Sequence, residues 1–87
     1  MEPRQAATFA RTARDAVAFT VARHQERVAA WARSEPGSWG YLAGQAVLAC
    51  RKRLGRSLTE PERRVVWDLL WRTLLATRQG GAPSESD

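Results

Sequence analysis

The sequence predicts an all-α protein: a long N-terminal amphipathic helix followed by a C-terminal antiparallel helical hairpin, three helices in a bundle expected to dimerise. Three observations predict it. Residues 4–34 contain neither Gly nor Pro and repeat apolar residues every three or four positions. Glu35-Pro36-Gly37-Ser38 then interrupts the helical pattern, and Thr59-Glu60-Pro61-Glu62 carries the signature of a new helix start.

In the first helix Ala6, Ala10, Ala13, Val17, Val21, His24, Val28 and Trp31 fall on one face at about 100° per residue. Arg4, Arg11, Asp15, Glu26 and Arg33 occupy the other. A straight helix of this length would span roughly 45 Å, longer than a compact domain of this size. It is therefore expected to bend or break near Thr20, or to project towards a partner.

Pro36 disfavours helix at Glu35 and Gly37 relaxes the backbone, so the chain should turn there. Ser38 is expected to cap the second helix through its hydroxyl. That helix runs from about Trp39 to Leu54, with Trp39, Leu42, Ala43, Ala46, Val47, Cys50 and Leu54 as its apolar stripe. Gly40 and Gly44 weaken its helicity but, with Ala43 and Ala46, would admit another helix closely. Gly55 suits the left-handed residue that ends a helix. On the outer flank, Tyr41, Gln45, Leu48 and Lys52 read either as a partner-binding stripe or as the side that meets the first helix.

Thr59 is the expected N-cap of the third helix, Pro61 suits its first turn, and Glu62 completes a capping box. The helix should run to about Arg78, and its short connection to the second implies an antiparallel hairpin. Residues 1–78 thus form one domain. The tail 79–87, Gln-Gly-Gly-Ala-Pro-Ser-Glu-Ser-Asp, lacks large apolar residues and is expected to be disordered.

The third helix is apolar over roughly 200°, about twice the stripe that a surface helix of a small bundle buries. Leu69, Val66, Leu70, Leu74, Trp67 and Trp71 make up this arc, with Val65 and Leu75 beyond it, and Val66, Trp67, Leu70, Trp71 and Leu74 are accordingly the candidates for self-association. Phe19 also lies far from its own helix's apolar face.

The formal charge is +5, with thirteen arginines and one lysine. The Ala- and Arg-rich usage, without Ile or Asn, suggests GC-rich coding and a bacterial source. Arg51, Lys52, Arg53, Arg56, Arg63 and Arg64 concentrate positive charge at the hairpin bend, where phosphates of nucleic acid or an acidic protein are the expected contacts. Base-specific reading is not expected, because the third helix opens on acids and continues as an apolar run.

The single cysteine, Cys50, excludes an intramolecular disulfide and suits a cytoplasmic protein. The N-terminus does not resemble a signal peptide, and no run has the ~18 uncharged apolar residues of a membrane span. His24 has no second histidine to share a metal and reads as a packed residue. Cys50 lies on an apolar stripe and reads as a buried thiol. No catalytic set, metal site or cofactor motif emerges, so no enzyme activity is expected. The composition and patterning point to a non-enzymatic, self-associating interaction module, an adaptor or regulatory subunit anchored by Trp67, Trp71 and Tyr41. The alternative is a nucleic-acid-associated protein using the basic bend.

Overall fold

The computed structural model describes residues 3–80, and among them all regular structure is helical. The long N-terminal stretch is two helices, α1 (Pro3–Arg23) and α2 (Gln25–Ala32). The chain then forms α3 (Ser38–Leu54) and α4 (Glu60–Gly80). There are thus four helices where the periodicity predicts three.

The break falls at His24, whose backbone leaves helical geometry at φ −115°, ψ 50°. This is one turn beyond Thr20, near which a bend or break is expected. Thr20 is buried, and its hydroxyl donates to the Ala16 carbonyl at 2.9 Å, a back-bond that favours helix bending. Gln25 Nε2 donates to the Val21 carbonyl across the break. The His24 ring packs edge-on against Tyr41 of α3, with centroids 5.3 Å apart. The break lets α2 follow α3 rather than run past it.

The close of α2 uses a geometry the residue types do not advertise. Ser34 adopts φ 62°, a left-handed conformation usually reserved for glycine. Its N–H donates to the Trp31 carbonyl at 2.8 Å, and the Glu35 N–H donates to Ala30 at 3.0 Å. These two bonds form a Schellman motif with serine at its left-handed position. Gly37, at φ 83°, is the residue before α3. Ser38 does not cap: it is the first helical residue and is buried. Gly55, at φ 75°, ends α3 as expected.

The α4 start also matches its local sequence. Glu62 N–H donates to Thr59 Oγ1 at 3.3 Å, and Thr59 N–H donates to Glu62 Oε1 at 2.9 Å. Both halves of the capping box are therefore present. The helix extends two residues past Arg78, so Gln79 and Gly80 of the expected tail are helical, while its remainder, 81–87, lies outside the described residues.

Ala13, Ala16 and Val17 of α1 pack with Leu42, Ala46 and Cys50 of α3 and with Val66, Leu70 and Leu74 of α4. Alanines on the facing sides of α1 and α3 allow these helices to approach closely. The molecule measures 43 × 29 × 19 Å, so its thinnest dimension is about two helix diameters. In such a slab every helix keeps one flank towards solvent. No helix among the described residues is long and apolar enough to cross a membrane.

Candidate functional site

The apolar arc of α4 divides into two sides. Val66, Leu70 and Leu74 are completely buried within the chain's own core. Within the protomer they present no surface, so of the residues expected at a self-association face Trp67 and Trp71 are the ones left accessible. Trp67 is half-buried, and Trp71 is 44 % exposed. Val65, on the far flank, is 42 % exposed.

Trp71 is the centre of an indole cluster. Its ring meets Trp31 edge-on at 5.7 Å and Trp39 edge-on at 5.6 Å, joining α2, α3 and α4. The Arg78 guanidinium lies 5.2 Å from the Trp31 ring centroid. Such perpendicular contacts suit the aromatic quadrupole and give each ring a defined orientation.

Beside this cluster runs a mainly apolar trough lined by Trp39, Gly40, Gly44, Val47 and Trp67, with Arg63 as its one charged residue. Gly40 and Gly44 are exposed, and a β-carbon at either would meet nothing within 4 Å. The space above both glycines is open.

The basic bend is less available than its sequence suggests. Arg56 forms two parallel hydrogen bonds with Glu62, each 2.8 Å. Arg63 pairs with Glu60, and Arg64 lies 3.7 Å from the same carboxylate. Arg53 is placed over the Phe19 ring, 5.0 Å from its centroid. Arg51 and Lys52 are exposed and make no ion pair among the described residues. Three of the six cations, Arg56, Arg63 and Arg64, thus have a carboxylate partner.

Glu62 is buried, yet the Arg56 guanidinium holds its carboxyl down at about 2, helped by the Thr59 N–H. Glu60 is also held below its ordinary range by Arg63. The capping box was legible from sequence. Its arginine partner was not, because Arg56 lies outside the helix and reaches Glu62 only through the loop's path.

His24 and Cys50 both sit inside the packing. His24 Nδ1 lies 3.4 Å from the Tyr41 hydroxyl, and Arg27 covers the Tyr41 ring at 4.3 Å. Cys50 is fully buried, and its pKa is pushed up by that burial and secondarily by the Glu62 charge. The thiol form is thus favoured over the reactive thiolate. Among the described residues, no cluster of three His, Cys, Asp or Glu could hold a metal ion.

Tyr41, Gln45, Leu48 and Lys52 face the α1–α2 side. Gln45, Leu48 and Lys52 line a cleft together with Phe19, Arg23 and His24. Of the two readings of that stripe, its contacts are those of the side that meets the N-terminal helices.

No known family model matches the chain, and comparison with curated proteins and with solved structures finds no match.

Proposed function

We propose that this protein is a small, non-enzymatic, self-associating interaction module whose second copy docks on the trough between α3 and α4. One observation carries the reading: a half-exposed Trp71 stands beside a groove floored by Gly40, in the first turn of α3, and Gly44, one turn further on, with open space above both. Glycine inside a helix costs about 1 kcal/mol relative to alanine. At Gly44, inside α3, no described residue comes close enough to require that cost. A helix of a second copy laid over both glycines would meet backbone at close range.

Burial of Trp71 supplies a driving force for such docking. Covering the outer part of Trp71 removes roughly 100 Å² from water, on the order of 2 kcal/mol per protomer. A two-fold symmetric pairing counts every such contact twice. Cys50 and His24, the side chains with the most chemistry to offer, are both engaged in packing, which supports a non-enzymatic role. Ion pairing of Arg56 and Arg63 weakens the alternative of a nucleic-acid contact at the bend.

Sedimentation equilibrium tests the proposal. The wild type should give twice the 9.7 kDa chain mass. Gly44→Leu should give the monomer mass with an unchanged helical circular-dichroism spectrum, because the added side chain meets open space in the protomer. A wild-type monomer at a concentration on the order of 1 mM, or a Gly44→Leu variant that dimerises normally, would overturn it.

A further inference from the structure

We propose that the cleft between α1 and α3 binds a small phosphate-bearing ligand. Three cations converge there from two helices: Arg23 from the end of α1, and Lys52 and Arg53 from the last turn of α3. No residue lining the cleft is acidic. Four carboxylates are engaged with other cations: Glu35 pairs with Arg33, Glu62 with Arg56, Glu60 with Arg63, and Asp68 with Arg72. Arg23 and Lys52 make no ion pair among the described residues. Like charges gathered in one cleft repel one another, and an anion relieves that repulsion.

The cleft is also partly organised in advance. The Arg53–Phe19 contact at 5.0 Å reaches from α3 to α1 and places the guanidinium beside the opening. A cation already held by an aromatic face loses less freedom on meeting a phosphate. His24 and Gln45 add polar groups, while Leu48 supplies an apolar wall. Charge-assisted hydrogen bonds strengthen beside such a wall, where water is partly excluded.

Size and shape decide between a small ligand and a polymer. The cleft holds about 480 Å³, within the range of small-molecule sites. Its cations line a concavity shared by two helices rather than a ridge that would follow a nucleic-acid backbone. The site is separate from the proposed association face: on α3, Gln45 and Lys52 lie about 100° around the helix from Gly40 and Gly44. The two proposals can therefore fail independently.

The test is a ¹H–¹⁵N NMR titration of the full chain at low salt with pyrophosphate and with adenosine monophosphate. Saturable one-to-one shifts are expected at the Gln45 side-chain amide and at the Arg23 and Lys52 backbones. Arg23→Ala and Lys52→Ala should each weaken binding by roughly tenfold or more. Arg64→Ala, on the exposed side of α4, should leave it unchanged, and circular dichroism should show all three variants folded. Absence of saturation with both probes would overturn the proposal, as would equal weakening by Arg64→Ala. A ten-residue oligothymidylate that binds more tightly than either probe and shifts residues well beyond the cleft would also overturn it, in favour of nucleic acid.

Discussion

Arg56 grips Glu62 through two parallel 2.8 Å hydrogen bonds, and the same carboxylate completes the capping box with Thr59. One side chain thereby ties the α3–α4 connection to the first turn of α4. Its surroundings hold the buried carboxyl at about 2, against an ordinary value of 4.5. A carboxyl with a depressed folded-state pKa stabilises the fold above its unfolded value, and that contribution disappears as pH falls through the folded value.

Acid unfolding should therefore show a component between about pH 4.5 and pH 2 that belongs to Glu62. The contribution is on the order of 2 kcal/mol. Glu62→Gln should lower neutral-pH stability and flatten the acid limb of the stability curve. Arg56→Ala should keep the cap but move the acid transition to higher pH. Denaturant melts across this pH window provide the measurement, and an unchanged acid limb in Glu62→Gln would contradict the assignment.

The left-handed Ser34 offers a stabilising substitution. Its β-carbon crowds the following carbonyl in this conformation, at a cost of roughly 1–2 kcal/mol that glycine avoids. Greater freedom of glycine in the unfolded chain offsets part of that gain. Ser34→Gly is expected to raise unfolding free energy by about 0.5 kcal/mol, with α2 and the following turn unchanged. A drop in melting temperature would show that the serine side chain contributes something beyond the backbone turn.

Leu70 and Trp71 are sequence neighbours with opposite environments. Leu70 is completely enclosed, so Leu70→Ala should cost about 2–5 kcal/mol at any protein concentration. Trp71 packs its inner face against Trp31 and Trp39 and exposes its outer one, so Trp71→Ala should lower protomer stability and, in the proposed dimer, also abolish association. Melting temperatures measured at low and high protein concentration distinguish the two effects, because stability coupled to dimerisation rises with concentration. Trp71→Ala is expected to remove that concentration dependence, while Leu70→Ala lowers both values. Retention of the wild-type dependence in Trp71→Ala would move the interface elsewhere.

The sequence by itself determined what short-range chemistry determines. The 3.6-residue apolar period, the Pro36-Gly37 interruption, the Thr59–Glu62 capping box and the Gly55 stop all depend on residues within a turn or two of one another, so the helices and most of their ends could be read directly. The tertiary structure decided which neighbours those helices meet. It broke the N-terminal helix at His24, where Tyr41 receives the ring, and supplied Arg56 to Glu62 through the path of a loop. It also enclosed Val66, Leu70 and Leu74 while leaving Trp71 at the surface. Periodicity shows that a helix has an apolar arc, but only the crossing of other helices divides that arc between core and surface. The same crossing brought Arg23 to the neighbouring Lys52 and Arg53, far from it along the chain, around one cleft.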